Sequence, residues 1–172
     1  MGSDGSSLAD PASNETPEQL QGNYAIYAIA DQTLWQEAGN TDNGLNGFIR
    51  IAIAPQQDRN SVSWYVDSGL VYKGLIPGRD DDSAGVGIAF AKRSSGAANI
   101  VKAQKAFSGT SVPTPTSEVI IEATYQASLS QWFSIQPFFQ YVIRPGGNVI
   151  NPENGERVQN AAIFGLRAAA TF

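Results

Sequence analysis

The sequence predicts an all-β, antiparallel fold with strands long enough to cross a membrane, and three observations support this prediction. Seven segments are strand candidates, with residue alternation clearest toward the end of the chain, and turn-forming residues separate them. No run approaches the roughly 18 consecutive apolar residues of a transmembrane helix, and the mean hydropathy is −0.20. The last segment, residues 159–172, exceeds the roughly 9–11 residues that a tilted transmembrane strand needs. Together these features favour an antiparallel transmembrane β-barrel.

The predicted strands cover most of the chain after residue 22. They are residues 23–35, 44–54, 61–73, 84–93, 118–128, 132–143 and 159–172. The longest connection, residues 94–117, contains Pro113 and Pro115 and is predicted to be an extended loop, in which residues 97–107 give only a weak helical signal. No other helix is expected.

Alternation is clearest in the last three predicted strands. In the final strand Phe164, Leu166 and Phe172 share one face, whereas Arg167 lies on the other. This pattern is typical of barrel strands, which are apolar on one face only. The faces of residues 23–35 cannot be assigned from the sequence. Pro137 lacks an N–H group and is expected to disturb strand pairing around it.

Residues 1–21 are polar and lack the basic and apolar regions of a signal peptide. We interpret them as a loop or a cloning remnant, and residues 22–172 as the barrel segment. Bacterial barrels have an even number of strands and both termini in the periplasm. If the chain ends at the periplasmic rim, seven strands place residues 1–21 outside, as expected for a piece of a larger barrel. The connections 36–43 and 74–83 then lie inside, although neither is very short.

The composition excludes several classes of function. Cysteine and histidine are absent, which excludes thiolate and imidazole metal sites and the nucleophilic triads that depend on His. The net charge of −5 argues against binding to nucleic acid. Carboxylates such as Asp31 and Glu122 form no recognisable glycosidase pair. The run Asp80, Asp81 and Asp82 lacks the spacing of a calcium loop and is expected to be a solvated turn. We therefore expect no enzyme activity, cofactor or metal.

Several motifs in the chain resemble those of the OprB-type carbohydrate-selective porins. They are Gly22-Asn23-Tyr24, Ala30-Asp31-Gln32-Thr33-Leu34-Trp35, Trp64-Tyr65-Val66-Asp67-Ser68-Gly69-Leu70-Val71-Tyr72-Lys73-Gly74, Pro77-Gly78-Arg79-Asp80-Asp81-Asp82, Glu122-Ala123-Thr124-Tyr125-Gln126, Gln136-Pro137-Phe138-Phe139-Gln140-Tyr141, Pro145-Gly146-Gly147 and Gly165-Leu166-Arg167 with the terminal Phe172. The resemblance spans residues 22–172 and implies roughly the last seven strands of a sixteen-stranded barrel in the bacterial outer membrane. It also implies passive diffusion of sugars, and recognition of the C-terminal aromatic strand by the insertion machinery.

This resemblance gives the polar strand faces a role as the lining of a lumen. The candidates for contact with sugars are Arg50, Asp67, Glu122, Gln126, Gln136, Gln140 and Arg167. A cation that faces lipid is costly, so we expect Arg167 to face the lumen and to pair with a carboxylate such as Glu122 or Asp67. Aromatic residues near strand ends are expected to form girdles at the membrane interfaces, and they are Tyr24, Trp35, Trp64, Tyr72, Trp132, Tyr141 and Phe172.

Two further points follow from an incomplete barrel. Seven strands leave two edges unpaired, which lipid does not tolerate, so the remaining strands of the barrel or other copies of the chain are expected as partners. The alternative is a soluble β-sandwich that binds carbohydrate on an aromatic platform. Such a module would remain monomeric in buffer without detergent.

Overall fold

The computed structural model describes residues 1–109, 113–151 and 153–172, and they form one antiparallel sheet of seven strands in sequence order. The strands are β1 (Ile26–Glu37), β2 (Asn40–Ile53), β3 (Val62–Lys73), β4 (Ser83–Arg93), β5 (Ser117–Ser130), β6 (Phe133–Ile143) and β7 (Ala161–Ala170). Each predicted segment overlaps one of these strands, so the predicted all-β antiparallel fold is confirmed. The strands β1 and β7 form the two edges of the sheet.

The connections differ between the two ends of the sheet. At one end, called here the short-turn end, successive strands are joined by residues 38–39, 74–82 and 131–132. At the other, the long-loop end, the connections are residues 54–61, 94–116 and 144–160. The connection between β1 and β2, residues 38–39, is shorter than the predicted connection of residues 36–43, because both strands extend further than expected. It is a two-residue hairpin turn, the tightest type common in antiparallel pairs.

The longest connection contains a helix, α1 (Ser95–Ser108), which includes residues 97–107 with their weak helical signal. The expectation of an extended loop is wrong for this part, and residues 110–112 lie outside the described residues. The hydroxyl of buried Ser94 accepts a hydrogen bond from the N–H of Ala97 at 3.1 Å and caps the helix. Gly109 ends it in the left-handed conformation with φ +67°. No residue of α1 is buried, which explains why the sequence shows little helical periodicity. Among the described residues, no helix is long and apolar enough to cross a membrane.

Local irregularities explain where the alternation is weak. The register of β1 with β2 shifts between Thr33 and Trp35, so that the residues on either side of the shift do not follow a single alternation. The ladder between β5 and β6 is interrupted opposite Pro137, whose carbonyl oxygen instead accepts a hydrogen bond from the Thr124 hydroxyl at 3.1 Å. Pro137 therefore has the predicted effect.

The sheet does not enclose a hydrophobic core. Val142 is the one hydrophobic residue that is buried among those the structure describes, while large apolar side chains on every strand are at least partly exposed. A β-sandwich buries the inner faces of two packed sheets against each other. The described residues form a single sheet, so the β-sandwich alternative is wrong.

The short-turn end is held together by the acidic run of the β3–β4 connection. Asp82 is 2% exposed, and its carboxylate accepts hydrogen bonds from Arg79, from the Tyr125 hydroxyl and from the N–H of Ser128. Asp80 accepts a bond from the buried amide of Asn43 at 2.9 Å. The expectation of a solvated turn is therefore wrong for Asp82, which is buried, whereas Asp80 and Asp81 are exposed as expected.

Candidate functional site

One face of the sheet, called here the polar face, carries all seven side chains predicted to line a lumen. Residues directly opposite in an antiparallel ladder share a face, and the ladder places Asp67 opposite Arg50, and Gln140 opposite Glu122. It also places Arg167 opposite Gln136. Residues two or four apart on one strand also share a face, which adds Gln126 to Glu122 on β5 and joins Gln136 to Gln140 on β6. The polar face thus includes Arg50, Asp67, Glu122, Gln126, Gln136, Gln140 and Arg167.

Arg50 and Asp67 form a two-pronged ion pair between β2 and β3. The Nε and Nη2 atoms of Arg50 bind the Asp67 carboxylate at 3.0 and 2.5 Å. The Asp67 side chain is 7% exposed, whereas that of Arg50 is 53% exposed. The guanidinium group also lies 5.2 Å from the centre of the Phe48 ring, within the range of a cation–π interaction. The pair therefore presents a fixed cation to solvent above a covered carboxylate.

A second polar pair, Glu122 and Gln140, lies on β5 and β6. The Gln140 amide donates a hydrogen bond to the Glu122 carboxylate. This pair and the Arg50–Asp67 pair line one shallow cavity of about 260 Å³. Pockets that enclose drug-sized ligands have volumes of roughly 300–1,000 Å³. The cavity is therefore suited to transient contact with one small polar molecule rather than to its enclosure.

The other three candidates lie nearer the short-turn end. Gln136 donates to the Thr124 hydroxyl at 2.9 Å, and Gln126 lies four residues from Glu122 on the same strand face. Among the described residues, Arg167 forms no ion pair with Glu122 or Asp67, so that expectation is wrong. The reason is register: Asp67 lies directly opposite Arg50, whereas the ladder neighbour of Arg167 is Gln136.

Two phenylalanine rings cover glycines on the polar face. A Cβ atom added at Gly69 would lie 2.7 Å from the Phe48 ring, and one at Gly165 would overlap the Phe138 ring. Phe48 and Gly69 are ladder partners, as are Phe138 and Gly165. The sequence alone does not predict these two contacts, because the glycine that accommodates each ring is visible only in the pairing of the strands.

The opposite face, called here the apolar face, carries aromatic residues near both ends. Trp35 and Tyr72 contact each other at the short-turn end, with ring centres 6.0 Å apart. Trp64 and Phe90 stack at the long-loop end with centres 4.8 Å apart. The predicted aromatics Tyr141, Trp132 and Phe172 also lie at or just beyond strand ends, and Tyr24 precedes β1. Two aromatic bands with aliphatic residues between them match the surface of a membrane barrel.

The chemistry available on the polar face is hydrogen bonding and charge. No cluster of three or more carboxylates that would bind a metal ion occurs among the described residues. The pKa of Asp82, in the β3–β4 connection, is affected most by burial, which raises it. Hydrogen bonds from Tyr125, Arg79 and the Ser128 N–H outweigh that effect, so the pKa is lower than usual. As an anion, this group therefore stabilises the turn between β3 and β4.

The model of the carbohydrate-selective porin family, OprB, matches residues 2–172. The chain belongs to this family. The matched residues include all seven strands of the sheet and the connections at both of its ends.

Known members of the OprB family are similar to the chain over most of its length. Porin B of Pseudomonas aeruginosa is 25% identical over 171 residues, which cover 91% of this chain and 36% of that protein. The high-pH structure of Pseudomonas putida OprB superposes with a TM-score of 0.78 and 27% identity, over 87% of this chain and 36% of that one. The chain thus spans about a third of the length of these relatives.

Proposed function

We propose that the chain forms part of the wall of a passive, carbohydrate-selective channel in the bacterial outer membrane. The observation that carries this proposal is the division of the sheet into an uncovered apolar face and an ordered polar face. Lipid contacts the apolar face, and the polar face lines a water-filled lumen. The names of the relatives, a porin and an OprB protein, support the same assignment.

Sugars are expected to exchange hydrogen bonds with water for hydrogen bonds with the polar face. The Arg50 guanidinium, the Glu122 carboxylate and the Gln140 amide offer donors and acceptors around one cavity. The exposed side of the Phe48 ring adds an apolar surface beside them. Gln126, Gln136 and Arg167 continue the polar lining toward the short-turn end. Transport follows the concentration gradient of the sugar, and no covalent step occurs.

The partners of the chain follow from the same arrangement. Outer-membrane lipid covers the apolar face, and the aromatic bands lie at the two membrane interfaces. The edges β1 and β7 require further strands, either the remaining strands of a barrel or other copies of this chain. The C-terminal strand with Phe172 is the segment that the barrel insertion machinery recognises.

The proposal is tested in a chimeric Porin B of Pseudomonas aeruginosa, in which residues 22–172 of this chain replace the matching segment. Osmotic swelling of liposomes that contain the chimera measures the permeation of monosaccharides. We expect permeability similar to that of the parent Porin B. A barrel that is closed, as shown by heat-dependent mobility on gels, but impermeable to sugars would contradict the proposal.

A matched pair of variants tests the role of the polar face. Glu122→Ala removes a side chain from the cavity, whereas Ile121→Ala alters the adjacent residue on the apolar face. We expect Glu122→Ala to change the ratio of monosaccharide to disaccharide permeability and Ile121→Ala to leave it unaltered. Equal effects of the two substitutions would contradict the assignment of the lumen to the polar face.

A further inference from the structure

We infer that the outward rim of the sheet binds the head group of a phosphorylated sugar lipid in the outer leaflet of the membrane. The outward rim is the edge of the apolar face at the long-loop end, and its residues are Lys92, Ser117, Tyr141, Arg144, Arg157 and Asn160. The inference rests on the proposed function, which places the apolar face in lipid. Because barrels have short periplasmic turns and longer extracellular loops, the same proposal puts the long-loop end outside.

A cavity of about 410 Å³ lies where the apolar face meets the connection between β6 and β7. Tyr141, near the end of β6, forms part of its wall together with Arg144 and Arg157 of the connection. The remaining lining residues are Asn148, Val158, Gln159 and Asn160. The volume lies within the range of roughly 300–1,000 Å³ that is usual for ligand pockets. The rim therefore has room for a head group.

Hydrogen bonds direct this lining toward the lipid side of the sheet. Arg144 Nη2 donates to the Ser117 hydroxyl at 3.0 Å, and Ser117 lies four residues from Ile121 on the apolar face. The side-chain oxygen of Asn160 accepts the Arg144 N–H at 2.9 Å, while its amide nitrogen lies 3.5 Å from the Tyr141 hydroxyl. Arg144 and Asn160 are therefore on the side of the sheet opposite to the polar face.

The cations of the outward rim are not neutralised by the protein. Among the described residues, Lys92, Arg144 and Arg157 form no ion pair, although carboxylates occur on the adjoining segments at Glu118, Glu153 and Glu156. Glu118 instead accepts the N–H of Gly146. The Arg144 Nε atom is buried, and the described part of the chain gives it no hydrogen-bond partner. The rim thus combines an excess of positive charge with an unpaired donor, which is costly unless an acceptor reaches it.

A phosphate attached to a lipid sugar matches this arrangement in each of its parts. Guanidinium groups bind phosphate through paired N–H donors, so Arg144 and Arg157 are suited to the phosphate. The side-chain amides of Asn148 and Gln159 can bond to sugar hydroxyls. Tyr141 lies at the level where aromatic residues contact lipid head groups, and the acyl chains would continue along the apolar face below it. Free phosphate would leave both the amides and this face unused.

The test measures the lipid that the full chain retains in detergent. The refolded chain is mixed with diphosphoryl lipid A, a glucosamine lipid with two phosphate groups, and native mass spectrometry counts the bound lipid molecules. Phosphate-free lipid A and phosphatidic acid, which has a phosphate but no sugar, are compared with it. We expect at least tenfold weaker retention of both. Equal retention of either lipid would overturn the inference, as would binding of inorganic phosphate without retention of lipid A.

Substitutions at the rim test whether the cavity or the overall charge attracts the lipid. Arg157→Gln removes an exposed guanidinium that makes no side-chain hydrogen bond in the described part of the chain, so it should leave the fold intact. Arg144→Lys keeps the charge but removes the paired donors. We expect each to weaken retention of diphosphoryl lipid A at least fivefold. Lys102→Gln, at an exposed position of α1 outside the cavity, is the control, and an equal loss in this variant would overturn the inference.

The outcomes separate this inference from the proposed function, since lipid retention and sugar permeation are measured independently. The same lipid measurements on the closed chimeric Porin B repeat the test with every strand paired. Retention of diphosphoryl lipid A by a chimera that is impermeable to sugars would contradict the function but support the inference. A chimera that conducts sugars and retains no lipid A would overturn the inference and leave the function in place.

Discussion

Arg50 and Asp67 differ in exposure, and this difference determines how each responds to loss of the other. The Asp67 side chain is 7% exposed and would remain as a covered, unpaired anion without Arg50. The Arg50 side chain is 53% exposed and can be hydrated without Asp67. A buried group left without its partner costs about 1–3 kcal/mol, whereas an exposed ion pair contributes only about 0.2–1 kcal/mol. The two halves of the pair are therefore unequal.

We predict that Arg50→Gln lowers the free energy of unfolding of the chimeric Porin B more than Asp67→Asn does. The double variant should lose less stability than the sum of the two single variants, because it leaves no unpaired charge. Denaturant unfolding in detergent measures these differences. In the same proteins, reversal potentials should shift toward anions in Asp67→Asn and toward cations in Arg50→Gln. Additive losses of stability would mean that the two side chains are not coupled.

Asp82 gives a prediction about pH. Its pKa in the folded chain is lower than its usual value near 3.8, so the folded state gains stability from ionised Asp82 above that value. This stability is lost as the pH falls below the usual value and through the lower folded pKa. We expect the wild-type chain in detergent to lose stability in this range, and Asp82→Asn to be less stable at pH 7 but to lose less on acidification. Asp81→Asn, which changes an exposed neighbour, is the control and should behave like wild type.

At the level of secondary structure, α1 depends on a single buried cap. Ser94 is 0% exposed, its hydroxyl accepts the Ala97 N–H, and its own N–H donates to the Ser61 carbonyl at 3.0 Å. Because α1 buries no residue, few other contacts stabilise it. We expect Ser94→Ala to cost about 1 kcal/mol and to raise the hydrogen-exchange rates of the amides in α1. Ser95→Ala at the exposed neighbouring position should leave these rates unchanged, and equal rates in both variants would show that the cap is unimportant.

The strands were more predictable than the helix, for the same physical reason. A strand with lipid on one face and water on the other must alternate, so the faces of β5, β6 and β7 are visible in the sequence. The helix α1 has no buried residue and leaves only a weak helical signal in the sequence. The register in which two strands pair is visible neither in the alternation of a strand nor in the periodicity of a helix. The sequence therefore indicated the polar face of Arg167 correctly, but not that Gln136 would be its neighbour.

The same limit applies to the candidate site. Arg50, Asp67, Glu122 and Gln140 were assigned to a polar face from alternation alone. That they line a single cavity follows from β2, β3, β5 and β6 being aligned across the sheet. The match of Phe48 with Gly69 depends on the same alignment. Residue type and spacing thus predict which side chains share a face, and register decides which of them meet.

For the molecule as a whole, the proposed function requires the two faces of the sheet to contact different solvents. Ile49 on the apolar face and Ile163 on the polar face provide a matched comparison, because each is 43% exposed in the isolated sheet. The residues paired in succession with Ile49 across the sheet lead to Ala162 in β7, which is adjacent to Ile163. Ile49 and Ile163 therefore lie at nearly the same height along the strands. Exposure and position in the ladder therefore do not distinguish them.

We predict that Ile49→Lys destabilises the membrane-inserted chimeric Porin B by about 2–4 kcal/mol if it lies near the bilayer midplane, the usual cost of a lysine that faces lipid there. Ile163→Lys should have an effect near zero, since its ammonium group enters the aqueous lumen. Equilibrium unfolding from lipid vesicles measures both values, and the same variants in detergent-free buffer report whether folding requires lipid at all. Equal costs for the two substitutions would mean that the faces do not separate lipid from water, and would contradict the membrane assignment.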